Sequence, residues 1–140
     1  MDAQYILALD VGERRVGVAL ASSIARLPAV VTTIDRREHD AYEVIAKLVK
    51  EHGVSTIVVG LPRGMQGQDT AQTDYCRDFA AELEEAVGMQ VVMQDEAATS
   101  LEAEEYLKKL GKPYAKGDID AYAAVIILRD WLAGQMERTA

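Results

Sequence analysis

A chain of 140 residues can bury a substantial core but cannot build two lobes, so a single domain over 1–140 is expected. Hydrophobic residues make up 49% and charged residues 27%, and no apolar run approaches the ~20 residues of a membrane span, which excludes a helical membrane protein. The net charge of −8 argues mildly against nucleic acid, but the cations are clustered as Arg14-Arg15, Arg36-Arg37 and Lys108-Lys109, with Lys112 and Lys116 following. The first residues carry no basic segment, and the apolar run Tyr5 to Leu9 stops at Asp10. No secretory signal is expected, and the cytoplasm is the expected compartment. The single cysteine, Cys76, excludes an intrachain disulfide and reads as a small core hydrophobe.

In chain order, Tyr5 to Leu9, Val16 to Ala21 and Ala29 to Thr33 are apolar or β-branched runs with short connections, which predicts three strands in an antiparallel meander. Ala41, Ile45, Leu48 and Val49 recur at helical spacing between Glu38 and His52, and Gly53 supplies a stop. Thr56 to Val59 reads as a buried strand. Asp69 with Gln72 forms a capping box for a helix burying Tyr75, Phe79, Leu83 and Val87 and ending at Gly88. A strand follows at Gln90 to Gln94, then a helix capped by Thr99 with Glu102 and ended by Gly111. A last helix, with Asp118 available as a cap, runs through Ala123 to Trp131.

This order predicts an α/β fold, a five-stranded mixed sheet with three antiparallel and then two parallel strands, flanked by helices. If the first strand pairs with the fourth and the fourth with the fifth, Asp10, the Gly60-Leu61-Pro62 loop and Glu96 share one carboxyl edge, where open α/β sheets hold their ligands. The last helix is apolar nearly all round from Ala121 to Leu128 and must be buried. An acid at its start joins that edge if the helix packs its N-terminal end there. Periodicity does not choose between Asp118 and Asp120.

Four segments carry a resemblance. Asp10-Val11-Gly12-Glu13-Arg14-Arg15-Val16-Gly17-Val18-Ala19, Val59-Gly60-Leu61-Pro62, Asp95-Glu96 followed by Thr99-Ser100, and Lys116-Gly117-Asp118-Ile119-Asp120 before Val125-Ile126-Ile127-Leu128 resemble, in order, the motifs of the YqgF/RuvX family. The resemblance implies a ribonuclease H-like fold and a nuclease that trims precursor small-subunit (16S) ribosomal RNA, with an older proposed role in resolving Holliday junctions. It also implies a catalytic trio, Asp10, Glu96 and Asp120, holding Mg²⁺ or Mn²⁺, and leaves Asp118 as the helix cap. The chain departs from the family pattern at Ala97-Ala98, where an Arg and a larger apolar residue are usual. Arg63 is the expected substitute for the missing cation.

Carboxylates within ~4 Å repel by several kcal/mol at intermediate dielectric, and divalent cations remove that cost. Two ions ~3.5–4 Å apart would activate a water and steady the leaving oxygen of a phosphodiester, with Asp10 as the bridging ligand. Arg14, Arg15, Arg63 and Lys116 are the candidate phosphate contacts, Arg14 and Arg15 being equally readable as a soluble turn and Lys116 as a plain loop lysine. For Thr99, helix capping is preferred over orienting Glu96. His39, His52 and Trp131 read as structural. The expected partner is nucleic acid, precursor ribosomal RNA or branched DNA, and the chain is expected to act as a monomer or homodimer. An actin-like phosphotransferase would need a second lobe. A non-catalytic RNA-binding assembly factor is the stronger rival.

Overall fold

The computed structural model describes residues 2–139, with side chains described through residue 135. Five strands form one sheet in the order β3-β2-β1-β4-β5: β1 (Tyr5–Val11), β2 (Arg15–Ser22), β3 (Ala29–Asp35), β4 (Val54–Pro62) and β5 (Val91–Glu96). β1 pairs antiparallel with β2, and β2 with β3, whereas β4 runs parallel to both β1 and β5. The mixed sheet agrees with the expectation. Each strand is longer than its expected run because the ladder continues past it, through Asp10 and Val11 in β1 and through Gly60, Leu61 and Pro62 in β4.

Successive side chains on a strand point to opposite faces, and the two faces are built differently. Leu7, Leu9, Val16, Val18, Ile57 and Val59 fill one face, against α1 (Ala41–His52) and α2 (Ala71–Val87). These helices contribute Ile45, Cys76, Phe79 and Leu83 to that core. Ile6, Ala8, Ala19, Ala21 and Val58 form the other face, against Ala124, Ile127, Leu128 and Leu132 of α4 (Lys116–Thr139). Small residues there let a long helix lie close to the sheet. The apolar circumference of α4 is explained by a second neighbour: Ala123 and Ile126 pack on Ala103 of α3 (Thr99–Leu110).

Local signals place most helix ends. Asp40 caps α1 by accepting from the Tyr42 and Glu43 amides, and Gly53 ends it in the left-handed region at φ 62°. Two expected capping boxes are corrected. Thr70, not Asp69, caps α2, in a reciprocal box with Thr73, because the Asp69 carboxylate is drawn into ion pairs with Arg63 and Arg77. At α3 the N-cap is Ala98, with φ 55° and no side-chain bond, and Thr99 turns its hydroxyl elsewhere.

Candidate active site

Asp10 is the next-to-last residue of β1 and lies two residues beyond Ala8, so its side chain shares the α4 face. Pro62, the last residue of β4, pairs with Glu96, the last residue of β5, and the Arg63 amide donates to the Glu96 carbonyl at 3.0 Å. Two of the expected acids thus stand at one carboxyl edge, on the parallel strands β1 and β5 that flank β4.

Asp120 arrives by a close backbone approach. Gly17 pairs with Asp10 across the β1–β2 ladder, and an added Cβ at Gly17 would stand 1.9 Å from the Asp120 carbonyl oxygen. Only a glycine admits the first turns of α4 there. One strand further, Thr33 pairs with Gly17 and donates its hydroxyl to the Gly117 carbonyl at 2.6 Å. The cross-strand row Asp10, Gly17, Thr33 therefore sets where α4 begins over the sheet. Asp118 accepts from the Ala115 amide at 2.8 Å and so closes the free end of α4, leaving Asp120 to face the edge.

Asp10, Glu96 and Asp120 line one cavity of about 360 Å³, together with Gly60, Arg63 and Thr99. Their surroundings differ. Burial pushes the Asp10 carboxyl up to about 7, and the negative charge of Asp120 adds to the shift. Glu96 is pushed up to about 8, chiefly by burial; the Thr99 hydrogen bond opposes this and the Asp130 carboxylate reinforces it. Thr99 Oγ1 donates to Glu96 Oε2 at 2.9 Å, while Glu96 Oε1 is buried without a hydrogen-bond partner. Asp120 Oδ2 accepts from Arg15 Nε at 2.6 Å. Like charges repel, and the three carboxyls are relieved differently: burial favours the protonated forms of Asp10 and Glu96, Thr99 partly supports the Glu96 anion, and Arg15 pairs with Asp120. Among the described residues no three His, Cys, Asp or Glu side chains are grouped closely enough to hold one ion. The expected trio shares a cavity, but Glu96 feels Asp130, about three turns beyond Asp120 along α4. The donor set nevertheless suits a hard divalent cation: all ligating atoms are carboxylate oxygens, two of the groups are desolvated, and one oxygen is orphaned.

A family model described as "RuvX: Holliday junction resolvase" matches residues 4–134. The chain belongs to the RuvX family. A relative from Chloroflexus aurantiacus is 47% identical over 135 residues, covering 94% of this chain and 88% of its own. One from Chloroflexus aggregans is 44% identical over 135 residues, covering 94% and 95%. Both carry the name "Putative pre-16S rRNA nuclease". Among solved structures, T. thermophilus RuvC in complex with Holliday junction substrate matches with a TM-score of 0.58 and 11% identity, over 96% of both chains. A second match, "Thermus thermophilus RuvC structure", gives 0.54 at 11% identity, over 96% of this chain and 97% of that one. At this identity the likeness is one of fold, and the fold of this RuvX chain is ribonuclease H-like, as the resemblance implied.

The cations of this RuvX chain fall unevenly around the cavity. Arg15 reaches Asp120 and, with exposed Lys116, lines an adjoining cavity that shares Ser100, Leu101 and Asp120 with the first. Arg14 points to Asp35 at 3.8 Å instead. Arg63 lines the acid cavity but is ion-paired with Asp69 and, at 3.2 Å, with Asp95. It shares a surface cavity with Glu96 and Ala97, but its charge is already answered by Asp69 and Asp95. Thr99 is the main correction to a residue's role: the preferred cap instead fixes Glu96. Sequence reasoning assigned no role to Gly17, Thr33 or Asp130. A glycine between Val16 and Val18 inside a strand signals a close backbone approach, but Thr33 and Asp130 carried no such sign.

Proposed function

We propose that this RuvX chain is a divalent-metal-dependent nuclease that hydrolyses a phosphodiester bond of precursor 16S ribosomal RNA. The observation that carries the reading is that acids from β1, β5 and α4 line a single cavity at the sheet's carboxyl edge. The names of the relatives support the RNA substrate. Asp10, Glu96 and Asp120 are the residues proposed to hold Mg²⁺ or Mn²⁺. Bound there, the ions would polarise the phosphate and make a water acidic enough to attack at neutral pH.

The chain itself supplies the rest. Thr99 holds Glu96 in orientation, and Gly17 with Thr33 seats the turn that carries Asp120. Three acids alone would repel a polyphosphate strand, so flanking cations are needed. Arg15 and Lys116 on one side, and Arg63 on the other, are proposed to meet phosphates flanking the scissile one. Water adds to phosphorus as the P–O3′ bond breaks, leaving a 5′-phosphate and a 3′-hydroxyl.

Asp10→Asn is expected to keep the fold and to lower Mg²⁺-dependent cleavage of precursor RNA by about a thousandfold or more. Undiminished cleavage would reject the site. Resolution of a four-way DNA junction is the second reading, favoured by the family description. Cleavage of the two substrates side by side with Mn²⁺ distinguishes them, RNA being the one expected to be cut at low enzyme concentration.

A further inference from the structure

We infer that Arg15 is an internal cation that competes with the divalent ion for Asp120 and, once displaced, turns to grip substrate phosphate in the adjoining cavity. The inference rests on the proposed role of Asp120 as a metal ligand and deepens it.

Arg15 opens β2 two residues before Gly17, and therefore on the face that meets α4. Its Nε donates to Asp120 Oδ2 at 2.6 Å, and the two side chains are only 27% and 21% exposed. This is a partly buried, charge-assisted contact on an oxygen atom that a hard cation would use. Arg14, its neighbour, is more exposed and makes only a long contact with Asp35. Of these two neighbours, only Arg15 pairs closely with an acid.

The second cavity gives the freed side chain a destination. Arg15 and Lys116 line it beside Asp120, Ser100 and Leu101, and the last three also wall the acid cavity. A guanidinium leaving Asp120 has only to rotate to face a phosphate lying between the two cavities, and its planar fork suits two oxygens of one phosphate. Lys116 faces the same space from the first turn of α4. Cation entry at Asp120 and phosphate capture by Arg15 thus become one coupled event: each makes the other easier, because the same side chain cannot serve Asp120 and the phosphate together.

The test measures Mn²⁺ binding by calorimetry without nucleic acid, and binding of a single-stranded oligouridine across a salt series with Mn²⁺ present. Arg15→Gln is expected to bind Mn²⁺ roughly three- to tenfold more tightly than the wild type, because a competitor has gone. Its oligouridine affinity should fall and its salt slope should shrink by about 0.7, one phosphate contact on a single strand. Arg15→Lys, which keeps the charge, should hold Mn²⁺ affinity near the wild-type level. Tighter metal binding separates competition from a merely structural ion pair, whose loss would loosen the site. Unchanged or weaker Mn²⁺ binding in Arg15→Gln, or an unchanged salt slope, overturns the inference. Asp10→Asn serves as the reference. If it binds Mn²⁺ like the wild type, the metal-site reading itself has failed; if it loses Mn²⁺ while Arg15→Gln gains nothing, only the competition has failed.

Discussion

The two faces of the sheet use the same strands for opposite purposes. Towards α1 and α2 the strands present Leu7, Leu9, Val16, Val18, Ile57 and Val59, bulky groups that exclude water and supply core. Towards α4 they present Ile6 and Val58 but otherwise small residues, Ala8, Ala19 and Ala21, with Gly17 and then Asp10 at the edge. On that side a helix backbone comes within touching distance of a strand. A bulky face contributes stability and tolerates small shifts. A face of small residues fixes position, which a site assembled from acids on separate elements requires.

That contrast can be broken most forcefully by one substitution on each side. Leu9→Ala is expected to cost about 3 kcal/mol in urea melts, transfer free energy plus the cavity left behind, with Mn²⁺ affinity unchanged. Gly17→Ala should cost about 2 kcal/mol through overpacking against the Asp120 carbonyl, and should also weaken Mn²⁺ binding by about tenfold as α4 is pushed away. Equal Mn²⁺ affinities in the two folded variants would erase the distinction between the faces.

The acid on the close-packed face also has a cost that pH reveals. Asp10 ionises at about 7 in the fold against 3.8 as an ordinary carboxyl. Between those values the unfolded chain has lost a proton that the folded chain keeps, so stability falls as pH rises from about 4 to 7 and stays lower above. Asp10→Asn, studied with chelator present, should therefore be more stable than the wild type by about 2 kcal/mol above pH 7, with the gain fading towards pH 4. A gain of equal size at both ends of a pH series of thermal melts would show that Asp10 is not desolvated.

The smallest effect is expected where one hydroxyl supports a ligand. Thr99→Val keeps the shape but removes the donor to Glu96 Oε2, which leaves the Glu96 carboxylate less supported as an anion. Stability should drop by about 1 kcal/mol, and Mn²⁺ affinity by less than tenfold. Restoration by Thr99→Ser, which keeps the hydroxyl, would tie the loss to the hydrogen bond; no loss in Thr99→Val would return Thr99 to a packing role.

Much of this was legible in the chain. Apolar runs and their short or helical connections predicted the strand order, because period and connection length are local properties. Asp10 and Glu96 could be placed at one edge because parallel pairing of β1, β4 and β5 leaves little choice. Helix starts were less legible. Asp69 and Thr99 have the residue types of caps, but Arg63, Arg77 and Glu96 compete for their side chains, and those partners are brought in by tertiary contacts.

The sequence alone determined the sheet and the burial of the last helix from Ala121 to Leu128, since these follow from periodicity and composition, while its motifs singled out the candidate acids through a family resemblance. Only the tertiary structure decided which side chain each acid meets: Arg15 at Asp120, Thr99 and Asp130 near Glu96, Asp120 near Asp10. Such contacts depend on α4 approaching β2 at Gly17, and a separation of about 100 residues along the chain carries no local signal of that meeting.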